Sequence, residues 1–375
     1  MAVNGALPRI CFVAPAIYPV LSGSHSIASV GGAEVQQTML ARALVQAGYP
    51  VSVVTMDYGQ GQGVEIDGIR VHRAHTPHGG LPGVRFVHPR MTTMWRAMAA
   101  ADADIYYQRA SGMLTGLVAQ FCRQRGRRFV YAAASDADFY PELPLIRYGR
   151  DKWFYRRGLQ MADALVVQNA VQQRDCLART GRAATIVPSC HAAPPGAAAD
   201  ARGYVLWAGT IKALKRPELL LELARRLPTV QFRLVGGGDA ALIAQLQQGA
   251  HSLPNVALTG FVPYAAIDAQ FDGARLFVNT SDFEGFPNTF LQSWARGIPT
   301  VSFFDNGSVQ DGRPVTDCVA GIDAMAARIA TLMQDQAEWE QGSARVRRYF
   351  DAHHTPAAAL QAYAQVFAAL AGERA

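Results

Sequence analysis

Residues 279–299 read NTSDFEGFPNTFLQSWARGIP, and the order of residue types in this stretch decides the fold. The apolar run ahead of it, 276–279, is short and uninterrupted, which is the pattern of a strand buried on both faces. Glu284, Gly285 and Phe286 then form a turn, and a helix starts near Asn288 or Thr289 and stops at Gly297, a residue suited to ending helices. A second buried strand follows at 300–304. Strand, turn, helix and strand in this order make a βαβ unit, which builds a parallel sheet.

The same alternation extends in both directions. Upstream within the second half, strands are predicted at 204–208, 231–235 and 256–258, with a helix at 216–227. Before them lies CHAAPPGAAADARG, residues 190–203, which is rich in Pro, Gly and Ala, has no periodicity and reads as an interdomain linker. The first half repeats the pattern, with strands at 9–14, 51–55, 105–108, 129–133, 164–167 and 185–187 and an amphipathic helix at 33–47. The chain closes with helical segments, the last at 356–370. Two βα repeats joined by a linker predict two Rossmann-like, doubly wound parallel-sheet domains facing across a cleft lined by strand carboxyl ends.

Composition agrees with two domains. The 375 residues are half hydrophobic and only 17% charged, which excludes extensive disorder and a small disulfide-stapled module. No stretch reaches the roughly 18 apolar residues that span a bilayer. The N-terminus has no recognisable secretory signal, so a cytoplasmic location is expected. The net charge of +6 is unevenly spread: residues 1–190 hold 20 basic and 12 acidic side chains, a balance of +8, and the rest hold 15 and 17, a balance of −2. The five cysteines form no CxxC pair and read as reduced, mostly buried thiols.

Three segments can carry chemistry. The turn at Glu284 puts a carboxylate and free backbone N–H groups at a helix N-terminus, which suits a ligand rich in hydroxyls and negative charge, such as a sugar diphosphate; the plainer alternative is that Asp282 and Glu284 only cap the helix. The loop LWAGTIKALKRPE, 206–218, places Lys212, Lys215 and Arg216 at a strand's carboxyl end, where they can neutralise phosphates. Lysine is scarce here, at three residues, and two of them fall in this loop. The third segment is the glycine pair Gly31 and Gly32 at the mouth of a helix, which allows close approach of a ligand to the backbone.

Together these segments resemble the family-four retaining nucleotide-sugar glycosyltransferases, which have the GT-B fold. The resemblance runs through GGAEVQQTMLARALVQAGYPVSVVT at 31–55, ADALVVQNAVQQ at 162–173, GTIKALKRPELLLELARRLP at 209–228, LVGGG at 234–238, NVALTGFVP at 255–263 and EGFPNTF at 284–290. It implies an N-terminal acceptor domain (1–190), a C-terminal nucleotide-sugar domain (191–352) and a final helical segment (353–375) that returns to the first domain. By the same resemblance Glu284 contacts donor-sugar hydroxyls and Lys215 binds the diphosphate. Gly285, Phe286, Asn288 and Thr289 belong to the loop around the sugar and diphosphate, Gly31 and Gly32 to the glycine loop that closes on the phosphates, and Phe261 and Val262 to the nucleobase contact. Gly236, in LVGGG, joins the donor-binding set. On the acceptor side Asp136, at the end of the strand 129–133, is the expected residue beside the reacting sugar.

The sequence departs from the family's pattern at two places. Gln292 stands where a second glutamate would bind ribose hydroxyls, and its amide can still donate and accept. Thr210 stands where many members have an Arg beside the diphosphate, and Lys212 or Arg216 is expected to supply that charge. The implied activity is transfer of a sugar from a nucleoside diphosphate sugar to a hydroxyl acceptor in polysaccharide or glycolipid assembly, with no metal and no cofactor. The alternatives are a degenerate sugar-nucleotide-binding subunit and an NAD-dependent oxidoreductase, the latter resting on the GGG turn, although Asp239 stands at the wrong distance for the fingerprint's acid and no acidic residue follows about 20 positions on. Two metal readings compete with these, one on the Asp136/Asp138 pair and one on the spaced His72, His75 and His78. The expected partners are the nucleotide sugar, a glycan or lipid-linked acceptor and an anionic membrane surface, with no nucleic acid. The membrane expectation rests on the cluster Arg147, Arg150, Lys152, Arg156 and Arg157 with interleaved aromatics.

Overall fold

A computed structural model describes residues 7–23, 31–80, 86–194, 196–200, 203–263, 266–282, 284 and 286–372. The chain divides into two compact units, one built on Gly31–Ser189 with the N-terminal strand and Pro356–Ala375, the other on Cys190–Thr355.

The strands of the first unit are β1 (Ile10–Val13), β2 (Val51–Thr55), β3 (Glu65–Ile66), β4 (Ile69–Arg73), β5 (Ile105–Arg109), β6 (Arg128–Ala132), β7 (Ala164–Val167) and β8 (Thr185–Ile186). They form one sheet in the order β3-β4-β2-β1-β5-β6-β7-β8, parallel throughout except for the β3–β4 hairpin. Its helices are α1 (Tyr18–Leu21), α2 (Gly32–Gln46), α3 (Thr92–Ala101), α4 (Met113–Arg125), α5 (Gly149–Met161) and α6 (Ala170–Thr180). Side chains of a strand alternate between faces. Cys11 and Val13 therefore pack with α3, α4 and α5, while Ile10 and Phe12 pack on the opposite side. Burial on both faces explains why the central strands read as continuous apolar runs rather than alternating ones.

The second unit repeats the plan. Its strands are β9 (Tyr204–Ala208), β10 (Phe232–Val235), β11 (Val256–Gly260), β12 (Ala274–Asn279), β13 (Thr300–Ser302), the small hairpin β14 (Val309–Gln310) and β15 (Arg313–Pro314), and β16 (Asp317–Cys318). Six of them form a parallel sheet in the order β11-β10-β9-β12-β13-β16. The helices are α7 (Glu218–Arg226), α8 (Ala240–Ala250), α9 (Asp268–Asp272), α10 (Asn288–Trp294), α11 (Ile322–Gln334) and α12 (Gln336–His353). Val205 and Trp207 face one core and Leu206 and Ala208 the other. Helix α10 is the one predicted from the opening stretch, and Gly297 after it takes φ +73°, the left-handed conformation that lets the chain turn back into β13.

The chain ends in α13 (Pro356–Gly372), which belongs to the first unit. Tyr363 and Phe367 are buried against that unit's sheet, and the Tyr363 hydroxyl lies 3.0 Å from that of Tyr107 on β5.

The hairpin partner β4 is expected from the sequence only as a strand end near His72. Its sequence, IRVHR, interrupts the apolar pattern with Arg70 and Arg73, which stay exposed because the strand lies near the sheet edge. All five cysteines are free thiols; Cys11, Cys122, Cys176 and Cys190 are buried and Cys318 is exposed. Among the described residues no helix is long and apolar enough to cross a membrane.

Candidate functional site

In an open α/β sheet, ligands bind outside the strand carboxyl ends at the point where strand order reverses. In the second unit that point lies between β9 and β12, and the two loops leaving these strands are the two chemistry-bearing segments found in the sequence. They are stitched together locally. Trp207 Nε1 donates to Thr280 Oγ1 at 2.9 Å, Thr280 in turn donates to the Lys215 carbonyl at 2.7 Å, and the Asp282 amide reaches the Leu214 carbonyl at 3.1 Å. The loop tightens into a 3₁₀ turn at Ala213–Lys215, and Arg216 takes φ +47°, a left-handed conformation uncommon for a non-glycine residue.

This stitching brings Lys215 and Glu284 together although they are far apart in the chain. Lys215 Nζ and Ser281 Oγ, the latter at 2.8 Å, both donate to Glu284 Oε1. The other carboxylate oxygen, Oε2, has no partner among the described residues. Lys215 and Glu284 are 18% and 15% exposed, so the pair is shielded yet reachable. The capping alternative is not realised: α10 has no side-chain cap, Asp282 pairs with Arg216 at 3.0 Å, and Glu284 pairs with Lys215. Lys212 and Thr210 are exposed, and Lys212 makes no ion pair with any described residue.

The rest of the expected donor set lies in the same unit. The glycine turn after β10 presses against the loop after β9: the Gly236 amide bonds the Gly260 carbonyl at 3.0 Å, the Ile211 amide bonds Gly237, and a Cβ on Gly236 would collide with the Gly209 carbonyl. These glycines thus serve close approach of the chain to itself. Asp239 caps α8, accepting from the Ala241 and Leu242 amides at 2.9 and 3.0 Å. Phe261 is 43% exposed over Gly237, and Val262 packs at the edge of the core. Phe286 is anchored against Trp294 and His354, with ring centroids 5.7 and 5.0 Å away. Asn288 and Thr289 are half-buried in the first turn of α10. Gln292 is buried, and its Nε2 has no hydrogen-bond partner among the described residues. Arg296, buried and paired with Asp268 and Asp272 at 2.8 and 2.6 Å, donates to the Gln292 carbonyl and fixes that helix end. Gly285 lies outside the described residues.

In the first unit, Gly31 and Gly32 open α2 and are exposed. Asp136 begins a 3₁₀ turn after β6 and accepts from Gln172 Nε2 at 2.8 Å. Burial raises its carboxyl above the ordinary value, the Gln172 hydrogen bond opposes that, and Asp175 adds to it. Asp138 has a different role: it is buried and accepts from the Ala134 amide at 2.8 Å, the Ser135 amide at 3.2 Å and the Tyr131 hydroxyl at 3.2 Å, so it holds the strand end in place. Among the described residues no group of three His, Cys, Asp or Glu side chains could hold a metal; His72 is buried on β4 while His78 is exposed.

Sequence reasoning did not single out Ser281, Thr280, Trp207 or Gln172 as site residues. Small hydroxyls after a strand carry no distinctive signal, and Gln172 and Asp136 are brought together only by the sheet. The pairing of Trp207 with Thr280 likewise depends on β9 lying beside β12.

The chain matches the family described as "Glycosyl transferases group 1" over residues 202–335 and the "Glycosyl transferase 4-like domain" over residues 31–190. Solved structures share the fold at low identity. Sucrose-phosphate synthase from Thermosynechococcus elongatus is 18% identical, with 96% of this chain and 100% of that one covered and a TM-score of 0.76. HepE from Anabaena, solved in complex with UDP and glucose, is 15% identical over 96% and 99% of the two chains, with a TM-score of 0.72. TarM is 12% identical over 98% and 100%, with a TM-score of 0.71. Among curated proteins none matches the sequence.

Proposed function

The chain belongs to the glycosyltransferases of the family-four type with the GT-B fold, and on that premise we propose that it moves a sugar from a nucleoside diphosphate sugar to a hydroxyl acceptor with retention of anomeric configuration. The observation that carries the reading is Glu284 at the switch point of the second unit. Its Oε1 is held by Lys215 and Ser281, so Oε2 is oriented and free to accept from a sugar hydroxyl. Lys215 is then poised beside the diphosphate. When the bond from the anomeric carbon to the diphosphate oxygen breaks, negative charge grows on the leaving group, and a preoriented ammonium in a shielded site stabilises it.

Lys212 supplies the charge that Thr210 lacks, since Arg216 is engaged by Asp282. Gln292 takes the ribose hydroxyls with its unpartnered Nε2, and Phe261 with Val262 borders the base. Gly236 supports that border, while Phe286, Asn288 and Thr289, with Gly285 as the family pattern implies, frame the sugar and phosphates. Asp136 acts on the acceptor side. In this scheme phosphate charge is met by lysines and backbone amides, without a metal or a cofactor. HepE and starch synthase IV from Arabidopsis thaliana, solved with UDP and with ADP and acarbose respectively, support a nucleotide donor and a glycan acceptor.

The same proposal places the enzyme in the cytoplasm, working in polysaccharide or glycolipid assembly at an anionic membrane surface. Its support is the region of α5, where Leu145, Tyr148 and Trp153 are more than half exposed and Arg147 and Arg157 lie over the Tyr148 and Trp153 rings. The test is turnover on a panel of UDP-, GDP- and ADP-sugars. Hydrolysis or transfer that disappears in Glu284→Ala supports the enzyme. Tight nucleotide binding without turnover on any acceptor instead supports a degenerate binding subunit, the reading that Gln292 and Thr210 favour.

A further inference from the structure

The first unit also reverses strand order, between β1 and β5, and a pocket of about 250 Å³ lies there. The chain leaves β1 through Pro15 and β2 through Met56, and it enters α4 at Met113; these residues line the pocket together with Met94 and Leu114. The wall is therefore mostly thioether and aliphatic. Two nitrogen-bearing side chains interrupt it. One, His75, has its Nδ1 2.9 Å from the carbonyl of its neighbour Thr76.

The other is Arg90. Its Nε is buried without a hydrogen-bond partner, and the guanidinium makes no ion pair with any described residue. The carboxylate that follows β2, Asp57, is already engaged by Arg73 at 3.4 Å. Arg90 is itself half-buried, so its guanidinium stays open to an anion that enters the pocket while its Nε is enclosed without a partner. Low polarity around it also strengthens any anion it meets.

We propose that this pocket binds the part of the acceptor in which a phosphate or carboxylate is joined to an apolar segment, with Arg90 holding the anion and the methionines enclosing the apolar part. This rests on the reading that the first unit takes the acceptor. Arg suits the task because its planar fork pairs with either oxyanion in bidentate fashion, and methionine because its flexible thioether adapts to irregular apolar shapes.

The test titrates the full chain calorimetrically with hexyl phosphate, hexanoate, hexanol and inorganic phosphate, and separately with UDP, GDP and ADP. Saturable binding of hexyl phosphate or hexanoate is expected, with whichever binds tighter naming the anion, and weaker binding of hexanol and inorganic phosphate. Arg90→Gln should weaken the anionic probe about tenfold to a hundredfold, and Arg90→Lys should fall between the two. Nucleotide binding unchanged in Arg90→Gln shows that the variant is folded. If neither anionic probe saturates, or if Arg90→Gln binds it as the wild type does, the proposal is overturned while the donor reading stands. A chain that binds no nucleotide breaks the donor reading, and the hexyl phosphate titration still decides the pocket.

Discussion

Both units reverse their strand order beside the first strand of the sheet, yet the two crevices are furnished in opposite ways. The one between β9 and β12 holds charges that already answer one another, with Lys215 on Glu284 and Arg216 on Asp282. The one between β1 and β5 is walled by methionines and holds a guanidinium with no counter-charge among the described residues. The same topology thus offers two kinds of recognition. In the first, ligand phosphates compete with Glu284 for Lys215 and sugar hydroxyls take the free oxygen. In the second, a ligand supplies the charge the site lacks. Fold alone sets where a ligand sits, and side chains set what it is.

The largest effect should come from breaking the charged crevice. Lys215→Ala and Glu284→Ala are each expected to lower the rate of sugar transfer by about a hundredfold to a thousandfold, measured as kcat with saturating donor. Rates within tenfold of the wild type in both would refute the roles given to this pair. The next effect is on donor affinity. Gln292→Ala removes an amide with no protein partner, so it should weaken nucleotide-sugar binding about tenfold; if Nε2 does not touch the ribose, calorimetry will return an unchanged Kd. Salt should then separate the two ligands. The first unit and its arginines carry the excess charge, and exposed charges are screened over about 10 Å at 0.1 M. Raising the ionic strength should therefore increase the acceptor's KM severalfold while leaving the donor's almost unchanged, and equal sensitivity would dissolve the proposed difference.

How far each crevice was legible in the sequence follows the same division. The charged one could be read because its residues fall in two short segments with distinct composition: two of three lysines in one loop, and a carboxylate followed by glycine and an apolar helix in the other. Its local bracing could not, since Thr280 and Ser281 are ordinary hydroxyl residues until β9 and β12 lie side by side. The apolar crevice left no sequence signal. Its walls come from the ends of β1 and β2 and from α3 and α4, and a methionine in a helical pattern reads as core. Strands buried on both faces were read from their unbroken apolar runs, whereas all but the end of β4, at the sheet's margin, was hidden by its arginines.

The smallest effect concerns Asp136, where stability rather than turnover is informative. Burial raises its folded-state pKa above the ordinary value of the unfolded chain, despite the hydrogen bond from Gln172. Within the window between those two values the folded protein binds a proton that the unfolded chain has released. Unfolding free energy therefore falls as pH rises through that window and is flat above it. Asp136→Asn keeps the shape, cannot ionise and lacks this term. The difference in Tm, wild type minus variant, should be greatest below the ordinary Asp value and decline as pH rises past the raised one. A difference that stays constant would mean that the Gln172 hydrogen bond cancels the effect of burial, and one that grows with pH that it outweighs it. Either outcome would refute the raised carboxyl of Asp136 and leave it a side chain fixed by Gln172, as Glu284 is fixed by Lys215 and Ser281.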